Sequence, residues 1–170
     1  MNLRVIEKED LPFLAEWINN PAFFGEYNPL LQQSKKDLEK HYDERPSEEN
    51  WFFVEKKDGD RIGFLSHFSR GGLLEIGFTL VPSERGKGYC TEAVKIMLDY
   101  LFLSKNNVSI QASTDARNVA AQKVLEKVGF SKEGTIRKAS FSRGNWRNML
   151  LYSILREDWK EPKILTKANS

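Results

Sequence analysis

Hydrophobic and polar positions follow two different periods along the first half of the chain. The opening LRVIE alternates like a short strand, and EDLPFLAEWIN, which follows it, has apolar residues at helical spacing. Three later runs, NWFFVEKK, RIGFLSHF and LLEIGFTLV, have the composition of strands and are separated by the turn sequences KDGD and SRGG. We therefore expect a strand and a helix, followed by a three-stranded antiparallel meander.

The second half predicts helical crossovers and a closing hairpin. TEAVKIMLDYLFLS and NVAAQKVLEKV read as helices on either side of the strand NVSIQAST, and GTIRKASF and WRNMLLYSIL flank the turn SRGN. Ser34 is a suitable N-cap for a polar helix over SKKDLEKHYDER. The order of elements predicts a mixed α/β sheet, parallel where helices cross over and antiparallel elsewhere.

The segment NNPAFFGEYNPL combines loop-forming residues with aromatic ones. Its Pro, Gly and Asn residues predict a loop, while Phe23, Phe24 and Tyr27 give that loop an apolar surface. Two interpretations stay open at this point. The aromatic side chains form one wall of a pocket, or they fill the core beneath the loop.

Composition narrows the classes of function. The 170 residues fit one domain, and fractions of 40% hydrophobic and 29% charged residues are ordinary for a soluble protein. A net charge of +2 is too small to predict nucleic-acid binding. The single cysteine, Cys90, excludes an internal disulfide and a multi-thiolate metal site, and His41 and His67 lack the spacing of metal ligands.

No apolar stretch is long enough for a membrane span, and the N-terminus lacks the apolar core of a signal peptide. We therefore expect a cytoplasmic protein without a metal, a membrane partner or a nucleic-acid partner, either a monomer or a homodimer. A basic tail, residues 161–170, follows a single domain over residues 1–160. Nucleic-acid binding through that tail is a rival interpretation, which predicts salt-sensitive association.

The sequence VPSERGKGYCTEA, residues 81–93, has the properties of an anion-binding loop. It leads from a strand into a helix expected to begin near Thr91, so the free backbone amides and the dipole of that helix face it. Two glycines allow close backbone approach and two basic residues add charge: Arg85, Gly86, Lys87 and Gly88. A pyrophosphate suits such a loop.

Two familiar phosphate-binding fingerprints do not fit this loop. The nucleotide triphosphate fingerprint needs Lys where Tyr89 stands, and the dinucleotide fingerprint needs Gly where Thr91 stands.

What does fit is R-x-x-G-x-(small), from Arg85 to Cys90. With IGFTLVP before it and TEA after it, this stretch resembles the coenzyme A pyrophosphate loop of the GCN5-related N-acetyltransferase (GNAT) superfamily. NVAAQKVLEKVGF resembles the family's Asn-initiated helix ending in Gly-Phe, and RGNWRNMLLYSILREDW resembles the subgroup that includes ribosomal-protein alanine N-acetyltransferases. The resemblance covers nearly the whole chain. It implies the GNAT fold, with a central mixed, mostly antiparallel sheet of about seven strands flanked by about four helices.

The resemblance also implies a reaction. An amine attacks the thioester of acetyl-CoA directly, in a ternary complex, and needs no metal. A protein N-terminal amine is the first expectation for the acceptor, from the subgroup alone, and a polyamine or aminoglycoside is the small-molecule alternative. A non-catalytic acyl-CoA sensor with the same fold is the alternative from a different functional class.

The family's binding residues carry over onto matching positions. The pantetheine arm is expected to bond to the backbone from Phe78 to Leu80, and the pyrophosphate to the amides from Arg85 to Cys90. Asn118 caps its helix and faces the cofactor, or only caps the helix. The predicted cofactor-binding residues are Phe78, Thr79, Leu80, Arg85, Gly86, Lys87, Gly88, Tyr89, Cys90 and Asn118.

Glu75 is the predicted catalytic base. Strand alternation places Glu75, Gly77 and Thr79 on one face of the strand that precedes the loop, and the apolar residues on the other. A general base is required because a free amine is mostly protonated at neutral pH. In related enzymes a strand glutamate acts directly or through a water molecule.

Three positions depart from the family pattern. Leu125 stands where many members have a tyrosine acid, which leaves Tyr89, Tyr152 or solvent to protonate the leaving thiolate. Cys90 replaces the usual Gly or Ala, and its place at a helix start could lower its pKa, so an acyl-cysteine intermediate is a subsidiary hypothesis. Asn148 stands where the subgroup often has an Asp on the last hairpin.

Overall fold

A seven-stranded sheet is the framework of the computed structural model, which describes residues 1–162. The strands are β1 (Asn2–Val5), β2 (Asn50–Glu55), β3 (Arg61–Arg70), β4 (Leu73–Leu80), β5 (Ser109–Asp115), β6 (Ser131–Ser142) and β7 (Asn145–Leu155). In space they run in the order β1-β2-β3-β4-β5-β7-β6, and only β4 and β5 are parallel. The predicted mixed, mostly antiparallel sheet is confirmed.

Five helices accompany the sheet in the described residues: α1 (Leu11–Ile18), α2 (Pro21–Phe24), α3 (Lys35–Glu44), α4 (Tyr89–Ser104) and α5 (Val119–Lys127). Ser34 caps α3 as predicted, because its hydroxyl accepts a hydrogen bond of 3.1 Å from the amide of Asp37. None of these helices is long and apolar enough to cross a bilayer. The predicted basic tail, 161–170, lies outside the described residues apart from its first two positions.

Three boundaries differ from the sequence prediction. The single turn α2 forms inside the segment predicted as a loop, because Asn20 caps it through the amide of Ala22 and proline occupies its first position. Helix α4 begins at Tyr89, two residues before Thr91, and β6 begins at Ser131, before the predicted GTIRKASF. Local periodicity locates elements better than it locates their ends.

The SRGN turn is confirmed as the tip of the β6–β7 hairpin. Arg143 and Gly144 both have positive φ, 49° and 78°, as a two-residue type I′ turn requires. A non-glycine residue in this conformation is costly, by about 1 kcal/mol or more. The side chain of Arg143 compensates by reaching across to donate a 3.0 Å hydrogen bond to the carbonyl of Gly25.

Two apolar clusters bury opposite faces of the sheet. Helix α4 and Leu125 of α5 pack on one face, in a core that includes Leu65, Ile76, Met97 and Ile110. Helices α1 and α3 pack on the other face, through Leu14 and Leu38, over β2 and β3. Burial of a side chain of this size contributes about 1.5–3 kcal/mol, so these clusters supply much of the stability.

The second face continues over β4, β5, β7 and β6, and we call this part the groove face. Strand alternation and register place on it the side chains of Glu75, Gly77, Thr79, Gln111, Ser113, Asp115, Ser142, Arg147 and Met149. Helix α2 meets it at β4, where the hydroxyl of Thr79 donates to the carbonyl of Phe23 at 3.3 Å.

The parallel pair β4 and β5 separates soon after it forms. Only Leu74 with Ile110 and Glu75 with Gln111 are paired, although both strands continue, to Leu80 and Asp115. The backbone of residues 76–80 is paired with β3 on one side and has no β5 partner on the other. This splay places unpaired strand backbone beside the glycine loop.

Candidate active site

A cavity of about 430 Å³ lies at the splay, within the usual size range of small-molecule sites. Its walls come from the end of β4, the loop that enters α4, one side of α5 and the loop after α2. All of the predicted cofactor-binding residues except Lys87 and Tyr89 line it: Phe78, Thr79, Leu80, Arg85, Gly86, Gly88, Cys90 and Asn118. The tertiary structure thus brings three separate sequence segments to one site.

The glycine loop has the geometry of an anion cradle. Gly86 and Gly88 have φ of 75° and 86°, and a Cβ built on either glycine meets no protein atom within 4 Å. The first hydrogen bond of α4 runs from the amide of Glu92 to the carbonyl of Gly88, at 3.2 Å. The amides from Tyr89 to Thr91 therefore have no partner inside the helix, and the helix dipole adds positive potential there. A pyrophosphate fits this loop.

Arg85 lines the cavity, but its amide and two of its guanidinium nitrogens are bonded to the protein. Its amide donates to Pro82 at 3.3 Å, and its guanidinium donates to the carbonyls of Leu80, at 3.0 Å, and Phe23. Desolvation by burial lowers the pKa of this guanidinium. The side chain thus fastens α2 to the end of β4, which is a role that the sequence did not predict.

Lys87 and Tyr89 lie outside the cavity lining. The ammonium of Lys87 pairs with Glu84 at 3.3 Å, and the half-buried ring of Tyr89 packs against the main core with the Lys56 ammonium 5.7 Å from its centroid. Their predicted contribution to cofactor binding therefore rests on their backbone amides, which belong to the loop.

The thiol of Cys90 lines the cavity, and its pKa is shifted in the direction opposite to the one expected. Burial raises its pKa to about 12, whereas the helix start predicted a lowered value. Desolvation of the thiolate by burial is the cause of this rise in pKa. A neutral thiol is a poor nucleophile, so the structure argues against the acyl-cysteine hypothesis.

Helix α5 contributes residues that the sequence analysis missed. Lys123 and Lys127 both line the cavity, four residues apart on one side of the helix. The sequence signal was available, since two lysines at this spacing flank the apolar stripe. Asn118 caps the same helix, accepting a 3.1 Å hydrogen bond from the amide of Ala121, and also lines the cavity. Both of its predicted roles are therefore compatible with the geometry.

Glu75 occupies the last paired position of β4 before the splay. It is 5% exposed and faces the groove side, and its closest charged partner in the described residues is Arg70, at 3.6 Å. It is not among the residues that line the cavity. Phe78 lies three positions further along the strand, a distance of about 10 Å, so any proton transfer between that position and Glu75 must pass through water.

Neither tyrosine considered for the general acid lies on the cavity. Tyr152 is 1% exposed and its hydroxyl donates to Glu126 at 3.2 Å, while burial raises its pKa. Leu125, at the position of the family's tyrosine, is buried in the main core. The phenol that does line the cavity belongs to Tyr27.

The aromatic loop fulfils both interpretations of the sequence. Phe23 is 2% exposed and stacks on Trp17 with ring centroids 4.7 Å apart, so it fills the core. Phe24 and Tyr27 line the cavity and form its wall. The guanidinium of Arg117 lies 5.3 Å from the centroid of the Tyr27 ring and holds that residue in place.

Beyond this wall lies a group of charged residues. Arg117 donates to both carboxylate oxygens of Asp115, at 2.9 and 2.8 Å, and thereby holds the pKa of that carboxyl below its usual range. Asn148 has a structural role, because its side-chain oxygen accepts from the amide of Lys138 at 3.0 Å, where β6 bulges away from β7.

Comparison with known proteins agrees with this geometry. Residues 1–131 match the family model described as an acetyltransferase (GNAT) domain. "Probable N-acetyltransferase YjcK" of Bacillus subtilis is 37% identical over 140 residues, 78% of this chain and 76% of that protein. YdaF of the same organism, named as a candidate ribosomal N-acetyltransferase, is 32% identical over 111 residues, 62% of this chain and 60% of that protein.

Among solved structures, the spermidine N-acetyltransferase of Vibrio cholerae in complex with CoA and spermine resembles the chain over most of its length. The TM-score is 0.81 at 25% identity, covering 92% of this chain and 96% of that one.

Proposed function

Because the chain belongs to the GNAT family of acetyl-CoA-dependent N-acetyltransferases, we propose that it acetylates a primary amine of a small molecule. The observation that carries this proposal is the continuous cavity between the glycine loop and the wall formed by Phe24 and Tyr27. The spermidine N-acetyltransferase structure resembles 92% of this chain, and the sequence of the ribosomal candidate matches 62% of it. A small-molecule acceptor therefore has better support than the protein N-terminus favoured by the subgroup resemblance.

Acetyl-CoA supplies the acetyl thioester. The amides from Gly86 to Thr91 hold the pyrophosphate, and the unpaired backbone of residues 76–80 holds the pantetheine arm as an added strand. This arrangement directs the thioester away from the glycine loop, along β4 towards the point where β4 and β5 separate. Holding the amine against the thioester there replaces a bimolecular encounter with a positioned one.

Glu75 receives the proton of the acceptor amine through a water molecule in this proposal. An alkylamine has a pKa near 10 and is mostly protonated at neutral pH, so a base must act before attack. A coenzyme A thiol, with an ordinary pKa near 8.5, is a tolerable leaving group and needs no strong acid.

The proposal is tested by measuring thiol release from acetyl-CoA with spermidine, spermine, simple alkylamines and a peptide with a free N-terminus. We expect release with small amines and little with the peptide. Strong acetylation of the peptide alone would restore the protein N-terminal acceptor. Tight binding of acetyl-CoA without release to any amine would instead support the acyl-CoA sensor.

The role of Glu75 is tested by Glu75→Gln, with the exposed helix residue changed in Glu16→Gln as a control. Loss of a general base should lower kcat by about 100-fold or more and leave acetyl-CoA affinity unchanged. Glu16→Gln should behave as wild type. Unchanged kcat in Glu75→Gln would show that another group removes the proton.

A further inference from the structure

Where the groove face reaches the β6–β7 hairpin, it carries a group of cationic side chains, which we call the hairpin arginine cluster: Arg117, Arg143 and Arg147, with Ser142 beside them. We propose that this cluster binds an oxyanion of the acceptor, so that the acceptor is an amine that also carries a carboxylate or a phosphate. The inference rests on the proposed acetyl transfer to a small-molecule amine and narrows its substrate class.

Two buried polar atoms of the cluster lack partners. The hydroxyl of Ser142, a residue 2% exposed, and Nε of Arg147 are both buried and have no hydrogen bond among the described residues. Ser140 pairs with Arg147, so Ser142 is the diagonal neighbour of Arg147 on the same face, about 7–8 Å away between Cα atoms. A buried donor without a partner is costly and rare in native proteins. An oxyanion bound between them would accept from both.

The charges around the cluster favour an anion over a polycation. Asp115 is taken up by its two bonds to Arg117, and Glu75 faces Arg70. Arg147 also faces the carboxylate of Asp115, and Glu26 faces Arg117. The three arginines of the cluster thus exceed these two carboxylates by one positive charge. A di- or polyamine would bring its second cation towards this positive group, whereas an anionic group would be attracted.

The cluster and the cavity share one wall. Tyr27 lines the cavity on one side and lies under Arg117 on the other, and Arg143 bonds to the carbonyl of Gly25 in the same loop. Only β5 lies between β4 and β7, the strand that carries Arg147, so the cluster is two strand spacings or more, at least about 10 Å, from the end of β4. The amine and the anion of the acceptor are therefore several bonds apart, as in an ω-amino acid.

The test uses the full chain and amines built on the same six-carbon chain: 6-aminohexanoate, 6-aminohexyl phosphate, hexylamine and 1,6-diaminohexane, with thiol release as the readout. We expect kcat/KM for at least one anionic amine to exceed that of hexylamine by about tenfold or more, the effect of one charge-assisted hydrogen-bonded pair, and the diamine to be the poorest substrate. The two anionic amines distinguish carboxylate from phosphate recognition. If kcat/KM for the diamine equals or exceeds the values for both anionic amines, the inference is overturned while the proposed function stands. If no amine gives thiol release, the inference and the proposed function both fail.

Substitution then locates the anion. Arg147→Gln should bring the ratio of kcat/KM between the anionic amine and hexylamine close to one, whereas Arg137→Gln, which removes an exposed arginine from the same hairpin, should keep the wild-type ratio. Acetyl-CoA affinity and the thermal midpoint of each variant establish that it is folded. If a folded Arg147→Gln variant keeps the wild-type ratio, the assignment of Arg147 to the anion is wrong. If a variant does not fold, the comparison of amines on the wild-type protein still decides the inference.

Discussion

Gly63 lies on β3 directly opposite Leu80, a residue that lines the cavity, and replacing Gly63 with alanine tests the packing that shapes the site. A Cβ built on Gly63 lies 2.4 Å from Cδ2 of Leu80 and 2.5 Å from the carbonyl oxygen of Thr79. Rotation of Leu80 can relieve the first contact. The second contact is with backbone, so β4 itself must shift.

The expected change in the free energy of unfolding is the difference between two opposing effects. Overpacking of a buried site costs about 1–3 kcal/mol, and replacing a strand glycine by alanine recovers about 0.5–1 kcal/mol of chain entropy. A net loss of about 1–2 kcal/mol lowers the thermal midpoint by roughly 2–8 °C in a chain of this size. Because Thr79 and Leu80 line the cavity, acetyl-CoA binding should also weaken.

Thermal unfolding followed by circular dichroism, together with titration of acetyl-CoA, measures both effects. Gly134→Ala is the matched control, because Gly134 is also a strand glycine without positive φ, and its Cβ would meet no atom within 4 Å. That variant should be as stable as wild type or slightly more stable. If Gly63→Ala melted no lower than Gly134→Ala and bound acetyl-CoA like wild type, the described contact between β3 and β4 would be wrong.

Three further predictions concern the cavity wall. Lys123→Ala and Lys127→Ala should weaken binding of CoA more than binding of 3′-dephospho-CoA, because the lysine ammonium groups on α5 can pair with the additional phosphate. Equal weakening for the two ligands in a titration would show that the lysines do not contact this phosphate. The thiol of Cys90 stays protonated below its pKa of about 12, so alkylation by iodoacetamide should be slow at pH 8 and accelerate only as the pH approaches that value, with Cys90→Ala retaining acetyl transfer. Rapid alkylation at pH 8 would refute this. Arg85→Lys keeps the charge but loses the fork that bonds Leu80 and Phe23, so KM for acetyl-CoA should rise, and an unchanged KM would mean that charge alone matters at this position.

Three arginines hold the loop that forms one wall of the cavity. The wall that carries Tyr27 is held at three points: by Arg85 from the glycine loop, by Arg117 after the end of β5 and by Arg143 from the hairpin tip. Each contact ends on a backbone carbonyl or an aromatic ring.

Local patterns in the sequence were sufficient for most of the fold. Alternation predicted the meander, helical spacing predicted the crossovers, and SRGN predicted the final turn, because each of these depends on residues close together in the chain. The glycine loop could be recognised for the same reason: its cradle is formed by consecutive residues, and its two positive φ angles require glycine.

Contacts between distant segments were decided only by the tertiary structure. The bonds from Arg85 to α2, the desolvation that raises the pKa of Cys90 and the unpartnered donors at Ser142 and Arg147 all depend on which strands become neighbours. A sequence pattern reports the residues available for a site but not their burial or their partners. Those two quantities set the charge state and the free hydrogen-bonding capacity of each group, and they exist only once the sheet and its loops have packed.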